Sequence, residues 1–116
     1  MQPRTIKKRA RFMKIGKSGA RAGSVSLIAV CKEQAAAVPE VGYVVSKKVG
    51  KAVQRNKVKR RLRSLVRENE KEFTGGYSFV FIAKPMAYQR LYLALKSDFL
   101  QCMRRSKWKA SNELSE

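Results

Sequence analysis

The sequence predicts a small, single-domain α+β fold in which helices pack on one sheet. Two apolar segments, GYVV and FVFIA, are rich in the residue types that favour buried strands. Between them, from about residue 52 to residue 73, apolar residues recur with the period of an α-helix. The chain of 116 residues has the length of one domain. Together these features favour one sheet with helices packed on it.

The N-terminal third is predicted to contain a basic arm, a short helix and a strand. Residues 1–9 are basic and show no periodicity, which predicts a flexible arm. Phe12 and Ile15 lie three positions apart, as on one face of a short helix over residues 10–17. The glycines that follow predict a loop, and residues 24–31 have the β-branched character of a strand.

The rest of the chain is predicted to contain two more strands and two longer helices. Residues 40–46 and 77–84 are the strands, and the helices cover about residues 52–73 and 87–107. A polar tail over about residues 109–116 is expected to fray. The core stripe of the first long helix is Val58, Leu62, Leu65, Val66, Asn69 and Phe73, and that of the second is Leu91, Leu95, Phe99, Leu100 and Met103.

The charge balance is the strongest indication of function. Lys and Arg number 27 and Asp and Glu number 8, a formal net charge of +19. A charge of this size favours a polyanionic partner, namely nucleic acid, an anionic membrane surface or a strongly acidic protein. No apolar run is long enough for a signal peptide or a membrane span, so we expect a cytoplasmic protein. Cys31 and Cys102 match no metal-site spacing and are expected to be reduced, buried residues.

The segment from Lys47 to Arg67 holds ten Lys or Arg and no acid. On a helical wheel its cations gather on one flank, away from the apolar stripe. A solvated helix face normally mixes positive and negative residues. Here cations follow one another at intervals of one helical turn, a like-charge ladder whose repulsion phosphates would relieve, so we expect nucleic-acid contact. This flank comprises Arg55, Asn56, Lys59, Arg60 and Arg63, with Lys57 and Arg61 on the third side of the helix. A second basic cluster comprises Arg4, Lys7, Lys8, Arg9, Arg11, Lys14, Lys17 and Arg21.

The sequence shows no catalytic set of its own. There is no histidine, which excludes His-based acid–base catalysis and His-ligated metals. Glu68 and Glu72 share a helix face and are a conceivable two-carboxylate metal site, but a solubilising role beside Lys71 is favoured. The chain is therefore predicted to bind nucleic acid without performing chemistry on it.

The run SKKVGKAVQRNKVKRRLR, residues 46–63, closely resembles the bacterial ribonuclease P protein component. The family's Ser-Lys-Lys run, its Gly, its Ala-Val pair and its Arg-Asn-Arg/Lys signature all occur here at full spacing. The similarity extends over about residues 4–107. It implies a left-handed βαβ crossover around the basic helix and a protein that assists a catalytic RNA. The resemblance further implies that this RNA, with Mg²⁺, removes the 5′ leader of precursor tRNA by hydrolysis of a phosphodiester bond.

The resemblance also implies two RNA-binding surfaces. The RNA-subunit surface maps to Arg55, Asn56, Lys57, Lys59, Arg60 and Arg63, and the leader-binding cleft maps to Phe12, Ile28, Val30, Lys47, Lys48 and Lys84. The family often carries a second aromatic residue where this chain has Gly16, and an aromatic residue on the first strand where it has Val30. We expect Mg²⁺ to be used by the RNA, and neither a membrane nor a further protein partner to be required.

Two alternatives fit the composition. A structural RNA-binding protein of the ribosomal type would have the same size and charge, but has no reason to carry the Arg-Asn-Lys helix at this spacing. A protein nuclease acting without RNA would depend on Glu68 and Glu72, and the lack of histidine argues against it.

Overall fold

A computed structural model describes residues 2–112. One mixed sheet of five strands has the order β1-β4-β5-β3-β2. The elements in chain order are β1 (Arg4–Thr5), α1 (Arg9–Ser18), β2 (Ala20–Gly23), β3 (Leu27–Glu33), β4 (Glu40–Val44), α2 (Ala52–Glu68), β5 (Tyr77–Ala83) and α3 (Tyr92–Asn112). Short 3₁₀ turns occupy Glu70–Glu72 and Pro85–Gln89. The predicted α+β class is confirmed.

Helix α2 is the crossover of the sheet. It joins β4 to β5, which are parallel neighbours, whereas β3 pairs antiparallel with β5 and β2. Parallel neighbours cannot be joined by a tight hairpin, so a long connection is required between them. The basic helix predicted from the sequence is this connection, and its position is therefore fixed by the two central strands on either side of it.

The sheet is covered on both faces because side chains alternate along each strand. Phe79 and Phe81 of β5 point toward α2 and α3, where they meet Phe99 in the main core. Val80 of the same strand is buried on the opposite face, with Ile15 of α1. The helices therefore divide between the two faces, with α1 alone on one of them.

The predicted apolar stripe of α2 forms the contact between this helix and the core. Val58, Leu62, Leu65 and Val66 are buried. Asn69 ends the helix, and its side-chain amide Nδ2 donates to the carbonyl oxygen of Leu65 at 2.8 Å. Phe73, also predicted in the stripe, is buried beyond the helix end, after the 3₁₀ turn.

The predicted N-terminal arm and loop are partly wrong. Residues 4–6 are not free, because Arg4 N donates to the carbonyl oxygen of Pro39 and Ile6 N to that of Val41, and the Ile6 side chain is buried. The predicted loop after residue 16 is instead the end of α1 and the strand β2. Backbone pairing with β4 and β3 creates both short strands, and it leaves no periodic pattern in their sequences.

The second long helix begins and ends later than predicted. Pro85–Gln89 form a 3₁₀ turn, and Leu91, predicted in the core stripe, precedes α3 and is 79% exposed. At the other end α3 continues through Asn112, so the predicted fraying is wrong for residues 109–112. The predicted tail beyond Asn112 lies outside the described residues.

A buried carboxylate ties α3 to the turn between β2 and β3. Ser26 Oγ donates to Asp98 Oδ2 at 2.6 Å, and Arg90 Nε donates to the same oxygen at 2.8 Å. The hydrogen bonds from Arg90 and Ser26 lower the pKa of Asp98, although burial opposes them. A buried charge is tolerated when it is paired in this way. Cys31 and Cys102 are free and buried as predicted, and burial raises the pKa of these thiols to about 12 and about 11.

Candidate nucleic-acid interface

The loop 45–50 leads from β4 into α2 and fixes where the basic helix begins. Its turn is closed by Val49 N, which donates to the carbonyl oxygen of Ser46 at 3.0 Å, and the Val49 side chain is buried. Gly50 has a φ of +151°, and a Cβ there would lie 2.1 Å from Gln54 Oε1. That oxygen accepts a hydrogen bond from Lys51 N at 2.8 Å. Glycine is therefore required at the entrance to α2.

The basic flank of α2, defined as Arg55, Asn56, Lys59, Arg60 and Arg63, lies outside the buried stripe as the wheel predicted. Asn56, Arg60 and Arg63 are exposed, and Arg55 and Lys59 are half-buried. Ion pairs that the structure describes within residues 2–112 join Arg11 to Glu40, Arg90 to Asp98 and Arg104 to Glu72. None of these pairs involves the basic flank. The like-charge ladder is left to be relieved by solvent ions or a polyanion.

Two members of the basic flank are held in place by the protein. Arg55 Nη1 donates to the carbonyl oxygen of Gly50 at 2.8 Å. The guanidinium of Arg63 lies 5.9 Å from the centre of the Tyr43 ring. Tyr43 is half-buried, and this burial raises its pKa to about 12, although Arg63 and Arg67 act in the opposite direction. These contacts position both guanidinium groups without neutralising them.

The third side of α2 borders a shallow groove beside the start of α3. The groove has a volume of about 500 Å³ and is lined by Lys57, Arg60, Arg61, Ser64, Glu68 and Tyr92. Lys57 Nζ lies 5.5 Å from the centre of the Tyr88 ring. Arg61 Nη1 donates to the carbonyl oxygens of Tyr88 and Arg90, each at 3.3 Å. Lys57 and Arg61 are thus used partly to hold the 3₁₀ turn, whereas Arg60 faces solvent.

The second basic cluster surrounds α1. Arg11 alone has a described acidic partner, Glu40, and its guanidinium also donates to Gln34 and Ser78. The hydrogen bond from Arg11 lowers the pKa of Glu40, although burial opposes it. This network holds α1 against the sheet. The other members of the cluster, Arg4, Lys7, Lys8, Arg9, Lys14, Lys17 and Arg21, are exposed.

The predicted cleft corresponds to the sheet face beside α1. Phe12 and Ile28 are half-buried there, together with Val44 and Ile82. Val30 is 0% exposed on this face and cannot contact a ligand. The prediction that it lines the cleft surface is therefore wrong. Phe12 lies directly over the sheet, since a Cβ at Gly42 would come within 2.5 Å of Phe12 Cε1. Gly42 thereby lets the aromatic ring approach the backbone of β4.

The three lysines predicted in the cleft differ in their surroundings. Lys47 and Lys48 are exposed in the loop 45–50, between the end of β4 and the start of α2. Lys84 is half-buried, and its Nζ donates to the carbonyl oxygen of Ser24 at 2.6 Å. Lys47 and Lys48 are therefore free to meet an anion, while Lys84 is anchored to the β2–β3 turn.

Sequence reasoning missed Val44 and Ile82, which extend the apolar floor of the cleft, and the network of Arg11 and Glu40. The period of two along β4 and β5 could have indicated the first pair, because it places Val44 and Ile82 on the face opposite the main core. The ion pair joins residues 29 positions apart, and no local pattern indicates it.

The two carboxylates considered as a metal site are engaged elsewhere. Glu68 Oε1 accepts a hydrogen bond from the Tyr92 hydroxyl at 3.0 Å, and Glu72 forms an ion pair with Arg104. Over residues 2–112, the structure brings together no group of three His, Cys, Asp or Glu side chains that could hold a metal ion. In the same range no helix is both long enough and apolar enough to cross a membrane.

Comparison with known proteins gives consistent matches over most of the chain. The family model described as Ribonuclease P matches residues 1–107. A ribonuclease P protein component of Kocuria rhizophila is 41% identical over 90 residues, which are 78% of this chain and 80% of the relative. That of Gluconacetobacter diazotrophicus is 35% identical over 103 residues, which are 87% of this chain and 89% of the relative.

Solved structures with the same fold are also found. A mutant of the Staphylococcus aureus RNase P protein, described as defective in mRNA degradation activity, superposes with a TM-score of 0.82 at 26% identity. The match covers 89% of this chain and 87% of the other. The RNase P protein from Thermotoga maritima superposes with a TM-score of 0.78 at 25% identity, over 87% of this chain and 96% of the other.

Proposed function

Because the chain belongs to the ribonuclease P protein family, we propose that it is the protein subunit of a bacterial ribonuclease P. In this role it binds the catalytic RNA subunit and the 5′ leader of precursor tRNA. It thereby assists the endonucleolytic removal of the leader, while the RNA performs the hydrolysis. The observation that carries the proposal is the basic flank of α2, which lies outside the buried stripe of this helix and takes part in none of the ion pairs described within residues 2–112.

The two surfaces bind different RNA molecules, the basic flank the RNA subunit and the cleft the leader of precursor tRNA. The basic flank offers guanidinium groups to the phosphates of the RNA subunit, and Asn56 adds an amide for a backbone or base edge. The cleft floor of Phe12, Ile28, Val44 and Ile82 offers apolar contact to the unpaired bases of the leader. The loop 45–50 joins the surfaces, because it leaves β4 beside the cleft and enters α2.

The protein residues act by binding and orientation. Lys47 and Lys48 are exposed where the two surfaces meet, so they attract the leader phosphates toward the bound RNA subunit. Mg²⁺ bound by the RNA subunit would supply charge stabilisation at the phosphate and activation of the attacking water, while this chain's residues only bind and orient the RNA. The chain needs neither a membrane nor another protein for this role, and we place it in the cytoplasm.

Cleavage of precursor tRNA tests the proposal. The purified chain is mixed with a bacterial ribonuclease P RNA at low Mg²⁺, and the 5′ product is compared with reactions of RNA alone and chain alone. We expect the chain to stimulate the RNA and to cleave nothing by itself. Absence of stimulation at every salt concentration would refute the proposal. Cleavage by the chain alone that is lost in Glu68→Gln would instead support a protein nuclease.

A second arm of the experiment separates this function from a ribosomal one. RNA that co-purifies with the chain from native cells is sequenced after mild lysis. We expect one RNA species with the ribonuclease P fold. Recovery with ribosomes, without that species, would favour a structural ribosomal protein.

A further inference from the structure

The outer face of α3 carries an exposed aromatic side chain that neither proposed RNA surface uses. Trp108 is the single tryptophan of the chain and is 66% exposed. No ring contact or cation–π contact of its indole is described within residues 2–112. A single exposed aromatic side chain is ordinary on a protein surface, so the residues around Trp108 decide whether it forms a site.

The surroundings of Trp108 are basic. From residue 99 to residue 112 there are four Lys or Arg and no acid. Arg104 and Arg105 precede Trp108 by one helical turn, and helix side chains lean toward the N-terminus, so the indole lies over that turn. Arg104 is paired with Glu72, whereas Arg105 is exposed and has no described ion pair.

Strand β2 adds further positive charge beside this helix. Lys109 Nζ donates to the carbonyl oxygen of Arg21 at 2.9 Å, which brings the last turn of α3 against β2. Arg21 itself is exposed. The combination of an open indole with flanking cations is the chemistry that binds single-stranded nucleic acid, by stacking on a base and by contact with phosphates.

The other occupants of such a face fit less well. The exposed neighbours of Trp108 on the helix surface are polar, namely Gln101, Arg104, Arg105 and Asn112. Within the described residues around Trp108 we find no apolar stripe for insertion into a membrane or for burial against a protein, because the nearby apolar side chains, Cys102, Met103 and Ala110, are in the core and the exposed Leu93 lies at the other end of the helix.

We propose that the C-terminal part of α3 is an additional single-stranded RNA site, in which Trp108 stacks on an unpaired base and Arg105, Lys109 and Arg21 contact the adjacent phosphates. The site is distinct from both proposed surfaces. Helix α3 lies over β3 and β2, whereas the basic flank lies beside Tyr43 of β4 and the cleft is on the opposite sheet face.

Tryptophan fluorescence reports on this site alone, because Trp108 has no other indole to mask it. The full chain is titrated with a short unstructured oligoadenylate, and with an RNA hairpin duplex of the same charge as control. We expect the oligoadenylate to quench the fluorescence and the duplex to leave it nearly unchanged. Equal quenching by both RNAs, or none while a labelled oligoadenylate shows binding, would overturn the proposal.

Substitutions give the second readout. The cleft also accepts unpaired bases, so the comparison is made in a Phe12→Ala background that weakens the cleft. There, Trp108→Ala should lower the affinity for the oligoadenylate at least about fivefold, since loss of base stacking has this effect or more. Trp108→Phe should retain part of the oligoadenylate affinity, and the affinity for the duplex should be the same in both Trp108 variants as in their parent. An unchanged oligoadenylate affinity in Trp108→Ala, or binding of Trp108 to anionic vesicles instead of RNA, would refute the site. Because precursor tRNA cleavage depends on α2 and the cleft, failure here leaves the proposed function standing.

Discussion

Two adjacent arginines on α2 provide a matched test of the RNA-binding flank. Arg60 is exposed and belongs to the flank, whereas Arg61 is half-buried and donates to the carbonyl oxygens of Tyr88 and Arg90. If each cation of the basic flank neutralises one phosphate, Arg60→Ala should lower the affinity for RNA and weaken its dependence on salt concentration. Arg61→Ala should mainly change the stability of the fold.

The magnitude follows from counterion release. Each phosphate contact contributes about 0.9 to the slope of log affinity against log salt concentration. Loss of the Arg60 contact should therefore reduce that slope by about one unit. Between 50 and 200 mM salt, the gap between wild type and Arg60→Ala then narrows by about threefold. Arg61→Ala should leave the slope unchanged and lower the free energy of unfolding by about 1 kcal/mol, the net value of its hydrogen bonds.

The assay is filter binding of ribonuclease P RNA at graded salt concentrations, with urea unfolding of each variant monitored by circular dichroism. A slope that stays at the wild-type value in Arg60→Ala would show that the flank is merely solvated. An equal loss of slope in both variants would show that the intramolecular hydrogen bonds of Arg61 do not withhold it from RNA.

Two further substitutions test the cleft and the buried carboxylate. Gly42→Ala should displace Phe12 from β4, lower the free energy of urea unfolding by about 1–3 kcal/mol and weaken binding of a leader-bearing tRNA but not of the RNA subunit; unchanged leader affinity would contradict the assigned cleft. Asp98→Asn should lower it by about 1.5–3 kcal/mol at neutral pH. The folded pKa of Asp98 is lowered, so its stabilisation of the fold is complete above the unfolded pKa of about 3.9 and is lost as the pH falls through the folded value. In urea titrations at graded pH, Asp98→Asn should therefore lose less free energy of unfolding than wild type as the pH falls through this range. An equal loss in both proteins would contradict the pairing.

The long basic helix could be predicted because its pattern is local. The stripe from Val58 to Val66 repeats over several turns, and the same period places the cations on the remaining surface. The core strands were found for a similar reason, since β-branched and aromatic residues concentrate in β3 and β5. Helical period and composition are properties of short windows, so a single sequence is enough to detect them.

The remaining features depend on distant partners. β1 exists because Arg4 and Ile6 pair with the backbone near β4, and nothing in their own side chains indicates a strand. Gly16 lies within α1 despite its low helix propensity, because Ile15 is buried against the sheet and holds the helix there. Val30 was placed in the cleft from the resemblance, but in this chain it fills the core between α1 and the sheet.

The alternation along β5 limits how this chain can change in evolution. Phe79 and Phe81 belong to the main core, while Val80 and Ile82, between and beside them, belong to the face that carries the cleft. A substitution in β5 affects one face at a time. Insertion or deletion of a single residue would exchange the two sets, turning phenylalanines toward α1 and emptying the main core. Length changes among descendants of this sequence are therefore expected in the loops, while β5 keeps its length even where its residues differ.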